Sequence, residues 1–258
     1  MRFFVPLQGE TIGGKMFVKS RALVLHTFKY NDAASVAVIF TEEKGLVSFL
    51  VRVPKSRRGS GRHKLFRQLN VVEIEWEPHE SRSLQHVRNV CAICPYVSIP
   101  FEPDKMAVAM FIADFLYHSL KGEQSGRPLF EYLFSSLQWL DSACTSIANF
   151  HLVFLIRLSR FLGFYPNVDG YAPHSFFDLL NSCFTLSPSV HPYLLGEAEA
   201  AAIPLLLRMN YDTMHLFRFT RAERNRLLDI LNEYYRLHIP DFPKLKSLEV
   251  LRQLYEGH

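Results

Sequence analysis

Cysteine is scarce in this chain of 258 residues: there are four, at positions 91, 94, 144 and 183. They are too few and too unevenly spaced for a disulfide framework, which points to a reducing compartment, with the cytoplasm as the default. Long apolar runs are missing as well. The greasiest stretch, Phe150 to Leu162, is broken by His151, Arg157, Ser159 and Arg160 and falls well short of the ~20 residues of a membrane span, so no membrane partner is expected. The opening MRFFVPLQGETIGGKMFVK has an early arginine but neither an adequate apolar segment nor a small-residue cleavage site, so it is not a secretory signal. Met16 reads as an alternative initiator, which makes residues 1–15 a leader or flexible N-terminal extension.

Catalytic apparatus is also lacking. Gly9 to Lys15 resembles a phosphate loop, but Met16 stands where Ser or Thr must hold magnesium, and strand-like FVKSRALVL follows where a helix must begin. His79-Glu80 lacks the second histidine of a HExxH zinc site, and there is no G-x-S-x-G elbow. Cys91-Ala-Ile-Cys94 has metal-ligand spacing, but Cys144 and Cys183 form no second pair, and Cys144 reads as part of an apolar helix. Cys91 and Cys94 are therefore expected to be buried small hydrophobes at a strand end. No enzymatic function is expected.

What the chain does have is a run of cations from which acids are absent. In VRVPKSRRGSGRHKLFR, residues 51–67, Arg52, Lys55, Arg57, Arg58, Arg62, Lys64 and Arg67 are uninterrupted by Asp or Glu. Such a segment binds phosphates before it does anything else, and the glycines and serines of RRGSGRHK predict a loose backbone able to follow a polyanion. The plainer alternative is a solvated loop between two strands. Charge placement favours the first reading: residues 1–90 carry 15 Lys plus Arg against 8 Asp plus Glu, a net of +7, whereas residues 91–258 carry 14 against 17, a net of −3. The basic part is the expected nucleic-acid part.

Hydrophobic periodicity divides the chain in the same place. RALVLHTFKY, ASVAVIF, GLVSFLVRV, NVVEIEWE and LQHVRNV predict five strands, and Val72, Ile74 and Trp76 alternating with Glu73, Glu75 and Glu77 mark a sheet with one wet face. Five antiparallel strands with no long helix between them suit a small barrel, with the basic run joining the third strand to the fourth. Past Cys94-Pro95 the period becomes helical. Helices are expected from Pro103, from Leu129 to Cys144, and over the nearly all-apolar Phe150 to Leu162, which is the expected bundle centre. A further helix is expected after the capping box Thr220 to Glu223, and a last one with Ser247 in its first turn. Residues 163–195, with Pro166, Pro173, Pro188 and Pro192, predict an irregular insert with at most short strands or one helical turn. The fold class is thus α+β multidomain: a leader at 1–15, a barrel domain at 16–96, and a helical domain at 97–258.

In this order, TEEKGLVSFLVRVPKSRRG, RLSRFLGFYPNVDG and EYYRLHIPDFPKLKSLEVL make the chain resemble the bacterial RecO recombination-mediator family from Met16 onward. The most specific pieces are Phe40-Thr41 with Lys44-Gly45-Leu46, Leu162-Gly163-Phe164 with Pro166 and Asp169, and His238 with Lys246-Ser247. The resemblance implies an OB-fold barrel followed by an α-helical bundle. It also implies binding of single- and double-stranded DNA, annealing of strands coated with single-strand-binding protein, and work with RecR to load RecA. Many members hold a structural zinc through paired cysteines, but the matching positions here are Tyr171 and His174, with only Cys183 further along. No zinc or other cofactor is expected, and Phe176, Phe177, Leu179 and Phe184 would have to stabilise the insert by packing.

The family also binds the acidic, aromatic-ended tail of single-strand-binding protein, which asks for an apolar pocket edged by a cation. Arg157 and Arg160 are candidates, with Arg127 a weaker third; snorkelling or an internal ion pair is the favoured alternative for the first two. Phe28, Tyr30, Phe40 and Phe49 are available for base stacking, although Phe40 and Phe49 lie in apolar runs and fit a barrel core better. Composition by itself equally allows a non-enzymatic scaffold whose basic barrel binds RNA or an acidic protein.

Overall fold

The computed structural model describes residues 11–12, 15–54, 60–123, 126–144, 146–187 and 191–254. They form two compact units, Met1–Asp141 and Ser142–His258. Within the first unit lies a five-stranded closed barrel of β1 (Val18–Asn31), β2 (Ala34–Thr41), β3 (Gly45–Arg52), β4 (Val71–Trp76) and β5 (Gln85–Ala92), in the order β1-β2-β3-β5-β4 and back to β1. This is an OB-like barrel followed by a helical region. The stretch before it is strand where a phosphate loop would need a helix: Lys15–Met16 pairs with Thr11–Ile12.

β1 is long because it serves two partners, β4 through Val18 to Leu23 and β2 through Ala22 to Asn31. Register shifts between Val24 and His26, and between Lys29 and Asn31, supply the bend that closure demands. The turn from β2 to β3 needs Gly45, whose φ is 64°, while the Thr41 hydroxyl accepts from Lys44 N at 3.0 Å and donates to Gly45 O at 2.9 Å. Inward residues alternate as the sequence predicts: Val72, Ile74 and Trp76 join Ala22, Val24, Ala37, Ile39 and Phe49 in the core, and Trp76 meets Phe49 edge-on at 5.4 Å. Phe40 is fully buried too, whereas Phe28 and Tyr30 are exposed.

Two helices complete this unit, α2 (Pro103–Ser119) and α3 (Arg127–Ser142), numbered after a short α1 (Ser60–Lys64) described below. α2 packs against β1. Arg21 of β1 reaches α3: its Nε and Nη2 donate to Glu42 at 2.9 and 2.8 Å, Nη2 donates to Glu131 at 2.6 Å, and its guanidinium lies 5.0 Å from the Phe130 ring centre. The Glu42 hydrogen bond raises its pKa further against the opposing effect of burial. At the other end of α3, Asp141 accepts the backbone N–H groups of Val97, Ser98 and Ile99, each at 2.8 Å. Burial would lift the Asp141 carboxyl, but these bonds and the Ser98 hydroxyl outweigh it and hold the group below the usual carboxylate range.

In the second unit, α4 (Phe150–Phe161) has nine of its twelve residues buried, as its all-round apolarity predicts. It packs against α6 (Ala202–Arg208) and α7 (Arg221–His238), and the Tyr235 hydroxyl donates to Leu155 O at 2.8 Å. The capping box is present, with Thr220 accepting from Glu223 N and the Glu223 carboxylate accepting from Thr220 N. α8 (Lys246–Leu254) has Ser247 in its first turn. The insert carries three short strands, β6 (Phe176–Asp178), β7 (Cys183–Thr185) and β8 (Leu194–Leu195), in the order β8-β6-β7. Two helices not expected from the sequence, α5 (Glu197–Ala200) and α6, follow it.

Two expectations about cysteine are corrected. Cys91 is exposed and Cys94 half-buried, because Cys91 pairs with Glu73 in register and so points out of the barrel. Cys144 is exposed and lies beyond α3, which ends at Ser142. No described helix is long and apolar enough to cross a membrane.

His151 in α4 gives a test of the second unit. Burial, and then Arg224, push its pKa down from 6.5 to about 3. Below pH 6.5 the unfolded chain therefore binds a proton that the folded chain refuses, so stability is full above that pH and falls as the solution is acidified, at ~1.4 kcal/mol per unit. Between pH 6.5 and 5.0 the wild-type chain should lose about 1.5–2 kcal/mol more than His151→Leu in urea titrations. Equal losses would show that His151 is not the group responsible.

Candidate nucleic-acid interface

The basic run occupies the connection from β3 to β4. Lys55, Arg57 and Arg58 lie outside the described residues. Of the rest, Arg52 ends β3, Arg62 and Lys64 lie on α1, and Arg67 follows it, all four exposed. The backbone from 60 to 64 is a helical turn rather than the loose chain its glycine and serine content predicts. Phe66, just beyond, is 2% exposed and inserted in the barrel core, which explains the difference. The same connection is pinned at several points. Thr27 Oγ1 donates to Phe66 O at 2.7 Å, Leu69 N to Val24 O at 2.6 Å, and Asn70 Nδ2 to Lys64 O at 3.0 Å. Leu69 takes a left-handed φ of 65° so that its side chain can remain buried.

Charge pairing separates these cations from their neighbours. Lys19 pairs with Glu73, Arg21 with Glu42 and Glu131, Lys29 with Asp32, and Arg88 with Glu75. Among the described residues Arg52, Arg62, Lys64 and Arg67 form no ion pair; Arg62 donates only to the backbone oxygen of Arg88, at 2.7 Å. Beside them is a cavity of about 550 Å³ lined by Leu50 to Arg52, Pro54, Arg62, His63, Phe66, His86 and Val87. His86 and the nearby Arg82 lie outside the charge run and so escape a scan for runs, whereas His63 lies within it but is not counted among its cations. The signal in the sequence is the outward alternation of His86 and Arg88 along β5.

The other candidate cations are dispersed. Arg127 belongs to the first unit, exposed and near Glu42 and Glu131 at 3.7 and 3.9 Å. In the second unit the half-buried Arg157 donates to a backbone carbonyl, Met209 O, at 3.2 Å, and the exposed Arg160 lies 6.0 Å from the Tyr165 ring centre. At the positions matching a zinc site, Tyr171 packs edge-on against Phe184 and His174 Nδ1 is 2.7 Å from Glu197. Among the described residues no three His, Cys, Asp or Glu side chains gather as metal ligands. Phe177, Leu179 and Phe184 are buried within the insert. Asp178 ties it together by accepting from Leu180 N, Asn181 N and Asn181 Nδ2, and it also contacts His191.

Sequence comparison adds what geometry alone leaves open. Residues 16–96 match the family described as Recombination protein O N terminal, and residues 100–249 match Recombination protein O C terminal. The chain belongs to the RecO family. Proteins named DNA repair protein RecO from Phocaeicola vulgatus and Bacteroides fragilis are 48% identical to it over 240 and 242 residues. One from Porphyromonas gingivalis is 34% identical over 245. Each alignment covers 93% of this chain and the whole of the relative. Membership makes this a RecO-family DNA repair protein, with the barrel in the N-terminal match and most of the helices in the C-terminal one.

Phe66 is the test of how the ledge of cations is held. Phe66→Ala should cost about 3–5 kcal/mol in denaturant titration, because it empties a filled core position. Arg67→Ala, on the exposed side of the same connection, should change stability by less than about 0.5 kcal/mol. Similar values for the two would mean that Phe66 does not anchor the connection.

Proposed function

We propose that this protein is a recombination mediator. It binds single- and double-stranded DNA, anneals complementary strands, and with RecR helps to load RecA onto DNA coated with single-strand-binding protein. The observation that carries the reading is the set of exposed cations without acidic partners among the described residues, Arg52, Arg62, Lys64 and Arg67, presented along one connection of an OB-like barrel. Annealing requires the repulsion between two phosphate backbones to be screened, and cations that read no bases do this for any sequence. The role is one of binding and positioning rather than catalysis, and the place of work is the nucleoid. The second unit is assigned the acidic tail of single-strand-binding protein, through Arg160 at the surface and Arg157 beside it. No structural zinc is part of the proposal, a reading supported by the Asp178 network and the Phe177–Phe184 contact within the insert.

Charge reversal tests the DNA assignment. Arg62→Glu, Lys64→Glu and Arg67→Glu together should weaken binding to unrelated single-stranded oligonucleotides equally. They should also make the slope of log K against log salt shallower by about 2, since each phosphate contact on a single strand contributes ~0.7. An unchanged affinity at low salt would remove the assignment. For the tail, Arg160→Ala should weaken an acidic tail peptide about tenfold by fluorescence anisotropy while leaving annealing of bare strands intact. Unaltered peptide binding by the folded variant would move that site elsewhere.

A further inference from the structure

Oligonucleotide-binding barrels ordinarily lay their ligand across strands two and three, between the loops that follow strands one and four. In this chain β2 is buried at all eight of its positions, and Leu46, Val47, Ser48 and Leu50 of β3 are half-covered. That face offers no open platform. The opening lies elsewhere, at the seam between β3 and β5. These strands run parallel and pair only at Phe49 with Gln85 and Leu50 with His86. Beyond those pairs they diverge, and α1 sits over the gap with Phe66 filling its floor.

The gap is the cavity of about 550 Å³ already described, and a second one of about 430 Å³ adjoins it across β5, lined by Phe17, Glu77, His79, Arg82, His86, Val87 and Arg88. His86 and Val87 line both, so the two lie side by side on β5 as the halves of one candidate groove. Each part has the volume of a site for one small organic group. Four arginines, Arg52, Arg62, Arg82 and Arg88, and three histidines, His63, His79 and His86, line the groove against the single acid Glu77. Arg88 is held by Glu75 at 2.8 Å and by the Phe17 ring at 4.1 Å. The exposed side chains of Arg82 and His86 have no hydrogen-bond or ionic partner among the described residues.

Two details indicate that the groove is built to hold something. Gln85, 8% exposed, accepts from His79 N at 2.9 Å and donates to His79 O and Arg82 O at 2.9 and 2.7 Å. The loop carrying His79 and Arg82 is thereby fixed to the strand that closes the seam. On the opposite wall, His63 leaves Nε2 buried without a hydrogen-bond partner among the described residues. When Nε2 carries the ring proton it is a donor without an acceptor, and a phosphate oxygen entering this wall supplies one.

We propose that one nucleic-acid strand runs through this groove, across β5 from Arg52 and Arg62 to Arg82, with His86 at the midpoint, instead of over the β2–β3 face. The proposal rests on the DNA-binding reading above and adds its path. A single strand can bend its phosphates into a recess of this depth, whereas a duplex meets only the rim cations, so the groove favours single-stranded over paired DNA. Arg82 and His86 are then the residues that set this preference.

The test uses the full-length protein and a fluorescent 20-mer, with melting curves to confirm folding. Arg82→Gln with His86→Gln should weaken single-strand binding at least fivefold, flatten the salt slope by about 1, and shift duplex affinity less than twofold. The control is Lys29→Ala with Lys44→Ala, which removes two exposed cations from other turns of the barrel and should weaken single-strand binding less than twofold. Wild-type affinity in the Arg82/His86 variant would overturn the path, and so would equal losses in the two double variants, which would signify a diffuse basic surface. Failure of the wild-type chain to bind any oligonucleotide while binding polyglutamate would instead bring down the DNA reading itself and this path with it.

Discussion

Two backbone pairings, Phe49 with Gln85 and Leu50 with His86, close the barrel, and the shape of the candidate site follows from how short that closure is. A longer parallel ladder would seal β3 to β5 and leave nothing for α1 to cover. With the short one, the core must be finished by a residue from outside the strands, and Phe66 serves. The described part of the basic connection therefore has a structural duty at Phe66 and Leu69 while it exposes Arg62, Lys64 and Arg67. Its cations are carried on a segment that the core cannot release without losing a buried aromatic ring.

Around the barrel, charge is used in two ways. Arg21 is partly buried between Glu42 and Glu131, and Lys105, 4% exposed, donates to Ser98 Oγ at 2.8 Å and to Glu102 at 3.1 Å. Such groups fix geometry more than they add stability, because desolvation consumes much of what the pairing returns. What they fix is the seating of α2 and α3 against the barrel: Arg21 links β1 to the start of α3, and Asp141 binds the end of α3 to the chain entering α2.

How much of this the sequence discloses depends on the range of each interaction. Trp76, Ile74 and Val72 reveal β4 because alternation is local, and Thr220 with Glu223 reveals the start of α7 for the same reason. Phe40 and Phe49 are legible as core from their apolar neighbours. Arg21 with Glu131 is not legible, since partners 110 residues apart leave no local pattern. Cys91 misleads because cysteine is buried on average, yet the alternation of β5 sets it outward beside Glu73. SGRHK, residues 60–64, misleads because its composition is that of a flexible linker, while a phenylalanine two residues further on holds it in a helical turn. GEAEAAAIPLLLR conceals α5 and α6 because each is too short for a period to emerge; Pro204 is tolerated in the first turn of α6, where no helical N–H partner is required.

The excess charge of the first 90 residues does not by itself identify the interface, because it counts structural and available cations alike. Pairing separates them. Lys19, Arg21, Lys29 and Arg88 each have a carboxylate within 2.9 Å, so a phosphate approaching any of them must compete with an acid already in place. For Arg52, Arg62, Lys64, Arg67 and Arg82 no such competitor stands among the described residues. Only small counterions need leave, and their release is what drives association with a polyanion. The same distinction accounts for tolerance: the available cations support no buried structure, so they are free to follow a strand of any sequence while the paired ones keep the barrel and its two helices in register.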